Sequence, residues 1–134
     1  MDGPNIVLLE DTGDQRGFCY SLPRTSLEFF NLVKGAAVLS VRPGAVRGNH
    51  YHEIKLEMVM VLYSDSWTLF YQGQYEAEPT LRKFDGQGMV IITMPPLCSH
   101  AIRNDGKSDL IVIDLSNIKY DPEHPDVIRN VITG

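Results

Sequence analysis

The sequence predicts an all-β protein, a closed jelly-roll barrel of about ten short strands with a short helical turn near its C-terminal end. Three observations predict it. Apolar and β-branched runs recur along the chain, each bounded by Gly, Pro, Asn or Asp, and this pattern favours strands and turns over helices. Helical spacing of apolar residues is confined to the stretch from Pro125 to Ile132. At 134 residues the chain suffices for one domain, spanning 1–134, with a hydrophobic core that needs no disulfide staples. Closing the barrel also removes the strand edges that so many short strands would leave exposed.

Taken in order, Ile6 to Leu9 is a short apolar strand that ends in the polar turn Glu10 to Gly17. Phe18 to Leu22, Leu27 to Val33 and Ala37 to Arg42 are further strand candidates, separated by Pro23, Lys34-Gly35 and Pro43-Gly44. The run after Gly44 carries His50, Tyr51 and His52 on an extended segment, turns at Glu53-Ile54-Lys55, and leaves as Leu56 to Tyr63. That last strand is apolar on both faces except at Glu57. With Glu57 inward, alternation brings Val59, Val61 and Tyr63 inward too. Met58, Met60 and Leu62 then face out, where a second sheet or a partner subunit must cover them. Ser64-Asp65-Ser66 is a tight connection to Trp67 to Tyr71. Gln72 to Gln87 is the least regular stretch, with Leu81 to Phe84 its strand candidate. Met89 to Thr93 and His100 to Asn104 follow, and the hairpin signal Asp105-Gly106 leads into Leu110 to Leu115. In the last segment Val127, Ile128, Val131 and Ile132 recur at helical spacing.

Composition limits the partners. A net charge of -5 and a pI near 5.2 exclude a broad basic field of the kind that binds nucleic acid or an anionic membrane. The two cysteines, Cys19 and Cys98, together with the lack of an apolar leader or long apolar span, lead us to expect a cytoplasmic protein with reduced thiols. A Cys19–Cys98 bridge stays open. Cys98 either borders a site near His100 or is a small buried hydrophobe.

The chemistry gathers in one place. His50 and His52 are one residue apart on an extended backbone and so point to the same face. The corner at Glu53-Ile54-Lys55 returns Glu57 towards them, and His100 leaves a proline turn as a fourth candidate. Imidazole and carboxylate together suit one divalent metal ion, Zn, Fe, Ni or Mn, rather than a thiolate-seeking ion. Four ligands would leave one or two positions open for water or substrate. The competing reading is that these are hydrogen-bonded core or surface histidines.

The spacing itself carries a resemblance. Gly44, five residues, His50-Tyr-His52, four residues and Glu57 resembles the first motif of the cupin superfamily. Pro95-Pro-Leu-Cys-Ser-His100-Ala-Ile-Arg-Asn104 resembles the second. Leu97 and Ser64 depart from the pattern at positions that usually hold glycine, which affects turns and not ligands. The flanking run Val46-Arg-Gly-Asn-His-Tyr-His-Glu-Ile-Lys-Leu-Glu57 resembles the metal-binding cupin domain of bifunctional capsular-polysaccharide epimerase-reductases, which act on UDP-activated keto sugars. Asp14-Gln-Arg-Gly-Phe18 and Tyr120-Asp-Pro-Glu-His-Pro-Asp126 extend the match. That family's reductase half has no counterpart in these residues, so the resemblance implies a single step. A more distant resemblance links Arg47-Gly-Asn-His50 to dTDP-4-dehydrorhamnose 3,5-epimerases and dTDP-sugar 3,4-ketoisomerases, in which the matching histidine is a proton-transfer base.

The resemblance implies an epimerase or isomerase that forms an enolate from a 4-keto nucleotide sugar. His50 then competes for two roles, base and ligand. Tyrosines 51, 63, 71 and 75 are candidate acids, and strand parity selects Tyr63. Arg47, Lys55, Arg42 and Arg103 are candidates to meet a diphosphate, since guanidinium groups pair with phosphate oxygens. Asn104 either faces the cavity or holds the adjacent turn. His124, in a proline-bounded tail, reads as surface. The outward Met58, Met60 and Leu62 row, and the dimers common among the proteins it resembles, lead us to expect a homodimer. Two other classes compete: an iron-dependent dioxygenase and a non-catalytic small-molecule-binding module.

Overall fold

Two five-stranded antiparallel sheets pack face to face, as the alternation of inward and outward side chains requires. The computed structural model describes residues 3–134. Its strands are β1 (Asn5–Leu8), β2 (Gly35–Val41), β3 (Val46–Tyr51), β4 (Glu57–Tyr63), β5 (Trp67–Gln72), β6 (Thr80–Phe84), β7 (Gly88–Met94), β8 (Ser99–Asn104), β9 (Leu110–Ser116) and β10 (Ile128–Arg129). One sheet runs β1-β7-β4-β9-β2 and the other β10-β3-β8-β5-β6. From β2 to β5, and again from β6 to β10, successive strands change sheets, the weave of a jelly roll. Val59, Val61 and Tyr63 of β4 do point inward, where they join Trp67, Leu69, Phe84, Val90, Ile92 and Val112 in the main core. No helix is long and apolar enough to cross a membrane among the described residues.

Three expectations for local structure change. Leu27 to Val33 is not a strand: α1 (Arg24–Phe29) starts after Pro23 and runs into a 3-10 turn, Phe30–Leu32. Phe29 and Val33 lie four residues apart and, with Leu22, pack on Met58, Ile91 and Leu115. This segment therefore covers Met58 and Met60 from within the same chain, and a partner subunit is not needed there. Phe18 to Leu22 forms only a bridge, Asp11 to Tyr20, because no sheet strand lies beside it. The Asp11 carboxylate accepts the Gly13 and Cys19 N–H groups instead. The C-terminal segment is β10 and not a helical turn: Ile128 pairs with Tyr51 and Arg129 with His50. Its apolar spacing serves an extended strap, in which Ile132 packs on Phe70 and Ala101. Cys19 is exposed and Cys98 buried, both free, and burial raises the Cys98 thiol to about 11. Leu97, at the glycine position of the second motif, adopts a left-handed φ of 68°.

Candidate metal centre

The site depends on an irregularity in β3. Gly48 pairs with Ala101 and His50 with His100, so Asn49 is an extra residue bulged out of the ladder. Gly48 has φ +105°, and a Cβ there would lie 2.6 Å from the His100 carbonyl oxygen. Only glycine permits that approach. The bulge brings three imidazoles together, with ring centroids 5.0 Å apart for His50–His52, 4.9 Å for His50–His100 and 5.5 Å for His52–His100. One ring nitrogen from each lies within 4.8 Å of the others. Glu57 enters from the facing sheet, its Oε1 2.8 Å from His52 Nε2 and 3.3 Å from His100 Nε2.

The hydrogen bonds behind these rings set which nitrogen faces the centre. His100 Nδ1 donates to the Cys98 carbonyl at 3.0 Å and His52 Nδ1 donates to the Asp126 carbonyl. With the proton on Nδ1, each ring turns an Nε2 lone pair towards Glu57. Despite their closeness, His52 Nε2 and Glu57 Oε1 are buried and make no hydrogen bond. Buried lone pairs without a donor are costly, and a divalent cation is the group that would satisfy this nitrogen and oxygen set. His50, His52, Glu57 and His100 therefore fit such an ion.

Electrostatics follows from burial. His50 falls to about 4, first through burial and then through His100 and His52 beside it, and so is neutral at physiological pH. Burial opposes the charged form of His52, but Glu57 and the Asp126 carbonyl outweigh it and raise the ring. Burial also opposes the Glu57 anion, yet the His100 and His52 rings and the Asp114 carboxyl beside it hold it well below the usual carboxylate range. Asp114 lies outside both ligand motifs. It sits opposite Val59, on the inner face of β9, and burial followed by the Glu57 charge pushes it up to about 8.

His50, Glu57, His100 and Asp114 line a cavity of about 140 Å³ with apolar walls from Leu39, Val59, Ile102 and Val112. Arg47 lies at its rim, its Nε donating to the Ser40 carbonyl at 2.8 Å. Lys55 is near enough for its charge to act on His50, His52 and Asp114. Arg103 is placed elsewhere. Parity puts it opposite His100 and Ile102, on the outer face of β8, where it donates to Asp105 and lies over the Phe70 ring. Asn104 holds the adjacent turn: it is buried, donates to the Val41 and Ser108 carbonyls and accepts the Gly106 N–H. Tyr63 points inward as parity required, but at the far end of β4 from Glu57, roughly 20 Å along the strand. There it packs against Trp67 and Phe84 and opposite Gly88, so it is a core aromatic and does not reach the histidines. Tyr71 is the tyrosine paired across the ladder with His100. Tyr51 borders a separate outer cleft, Tyr75 is exposed, Arg42 is exposed in the turn after β2, and His124 sits at the surface beside Asp121.

With this geometry established, a family model described as the polysaccharide biosynthesis C-terminal domain matches residues 12–128. The chain belongs to the polysaccharide biosynthesis C-terminal domain family. All four candidate ligands, Asp114 and Asp126 fall inside the matched region of that domain. The chain is 22% identical over 133 residues to the spore coat polysaccharide biosynthesis protein SpsL of Bacillus subtilis, covering 96% of this chain and 88% of SpsL. Among solved structures it resembles the capsular polysaccharide assembling protein CapF of Staphylococcus aureus, with 25% identity and a TM-score of 0.65 over 72% of this chain. It spans only 26% of the CapF chain. It also shares its fold with the sugar 3,4-ketoisomerase QdtA of Thermoanaerobacterium thermosaccharolyticum, solved with TDP, at 17% identity and a TM-score of 0.68 over 96% of this chain and 88% of QdtA. The barrel has the cupin fold, which QdtA shares, and the family relation ties the chain to polysaccharide biosynthesis.

Proposed function

We propose that this chain is a metal-dependent epimerase or isomerase acting on a nucleotide-activated 4-keto sugar in polysaccharide or glycoside biosynthesis. The observation that carries the reading is the convergence of His50, His52, His100 and Glu57 beside one cavity, which His50, Glu57 and His100 line, in a chain of this family. Protons beside a ketone are acidic because the enolate spreads the charge, so catalysis needs a base and an electrophile close together. A divalent ion, Zn, Fe, Ni or Mn, would supply the positive charge that polarises the ketone. His50 is neutral, borders the cavity and makes no hydrogen bond through its ring among the described residues, so its lone pair is free for proton abstraction or for the ion. Asp114 lines the same cavity as a further group able to hold a proton. The cavity, about 140 Å³, is smaller than a typical ligand pocket. It takes a ring-sized part of a ligand and leaves the diphosphate at the rim with Arg47 and Lys55. The reading includes a homodimer. A three-histidine, one-carboxylate set with apolar walls also suits an iron-dependent dioxygenase, the second reading.

The test is incubation of the metal-loaded protein with 4-keto-6-deoxy nucleotide sugars in deuterated water. Enolisation by the enzyme puts solvent deuterium at C3 or C5, read as a mass gain, and His50→Ala removes it. Metal content by elemental analysis separates the two roles of His50: a variant that keeps its metal but not exchange has lost a base. His52→Ala and His100→Ala should lose the metal. No exchange from a folded, metal-replete protein, with oxygen uptake that depends on ferrous ion, would instead establish the dioxygenase.

A further inference from the structure

The C-terminal strap bonds to His52, pairs with His50 and reaches Ser99 beside His100, and Asp126 at its start makes the contacts nearest the ligand corner. The Asp126 carboxylate accepts the backbone N–H groups of Glu53, Ile54 and Lys55 at 2.7, 2.9 and 2.8 Å. Those residues form the corner between His52 and Glu57. The Asp126 carbonyl accepts the His52 Nδ1 proton. Further along, Arg129 pairs with His50. Asn130 donates through its backbone to the Asn49 carbonyl at 2.8 Å and through its side chain to Ser99 Oγ, beside His100, at 2.8 Å. Asn49, the bulged residue, accepts the Ile132 N–H at 2.9 Å and donates to Thr133 Oγ1 at 3.0 Å.

We propose that Asp126 is a positioning residue, and that docking of the strap, residues 126–133, is thermodynamically coupled to binding of a divalent ion at His50, His52, Glu57 and His100. The inference rests on the metal reading above. The strap has one buried apolar anchor, Ile132, and is otherwise held by polar contacts worth on the order of 1 kcal/mol each. A segment held this way opens more readily than the core strands. When it opens, the corner loses three acceptors and His52 loses the partner that fixes its tautomer, so two of the four ligands lose their orientation. An ion that needs the ligands in place must therefore favour the docked strap, and by linkage the docked strap must raise affinity for the ion by the same factor.

Zn2+ is the probe. On the wild-type chain, amide exchange is followed with and without Zn2+. Zn2+ affinity is measured by chelator competition for wild type, Asp126→Ala and Asp126→Asn. We expect Zn2+ to slow exchange in residues 49–55 and 126–133. Asp126→Ala should bind Zn2+ about 10- to 100-fold more weakly, the usual effect of losing a partner behind a ligand, with Asp126→Asn between the two. Zn2+ should also cease to protect the strap in Asp126→Ala. A strap whose exchange is unchanged by bound Zn2+, or a folded Asp126→Ala that binds within twofold of wild type, overturns the coupling and leaves the metal site standing. Wild type that takes up no Zn2+ overturns both. If Asp126→Ala fails to fold, the wild-type exchange comparison decides alone.

Discussion

Asp114 shows how far a single residue can be read. It is the one charged side chain in the run Leu110 to Leu115, and alternation from Leu110 and Val112 puts it on the inner face. That signal was available, but only the pairing of β9 with β4 shows that Glu57 is its neighbour. A pH prediction follows for the metal-free protein. The folded Asp114 keeps its proton to about pH 8, whereas the unfolded chain releases it near pH 4. The folded state therefore binds more protons across this window, and Asp114 makes stability fall as pH rises. His50, depressed to about 4, acts with the opposite sign, but only below about 6.5, its unfolded value. Between pH 6.5 and 8 the Asp114 effect stands without it, and the raised His52 acts in the same direction. Denaturant titrations of metal-free protein should show stability decreasing from pH 6.5 to 8, with a flatter profile in Asp114→Asn. An equal slope in that variant would remove Asp114 as the source.

Elements decide what residues can share. The His50-x-His52 spacing was legible as a same-face pair, yet β3 carries a bulge at Asn49 that the simple alternation did not contain. Its mark in the sequence is Gly48-Asn49, two residues that tolerate positive φ. Gly48→Ala would add a Cβ 2.6 Å from the His100 carbonyl oxygen at φ +105°. We expect it to cost about 1–3 kcal/mol and to lower metal content, because the strain falls on the pairing that aligns His50 with His100. Thermal melts and elemental analysis of the variant check both effects. A stable variant with full metal content would show that the ligands do not depend on the bulge. Elements also account for the candidates that fell away. Arg103 lies one residue out of phase with His100 and Ile102, and Tyr63 lies six residues beyond Glu57 on the same face.

At the scale of the molecule, the outward row of β4 divides. Met58 is fully buried under α1 and its 3-10 turn, while Leu62 stays 43% exposed. Leu62 adjoins Ile111 across the ladder and Ile113 adjoins Val38, all of them exposed. This leaves an apolar patch on the outer face of that sheet, which a second copy would cover. Light scattering at micromolar concentration should give a dimer, and Leu62→Glu with Ile111→Glu should give a folded monomer. A monomeric wild type would end the dimer proposal.

Read alone, the sequence determined the all-β class, the alternation of β4 and the identity of four ligand-type residues, because strand period and ligand chemistry are local properties. It also contained Asp126, at the end of the run Tyr120 to Asp126, but only as part of a resemblance. Tertiary structure decided the rest. The apolar spacing of 27–33 suits either a strand or a covering helix, and the need to bury Met58 selects the helix. The spacing of 125–132 suits a helical turn, but the open amides of the ligand corner and the edge of β3 draw it out as an extended strap. The partners of Glu57 and His52, namely Asp114 and Asp126, lie 57 and 74 residues away in the chain, and no local pattern specifies contacts at that separation.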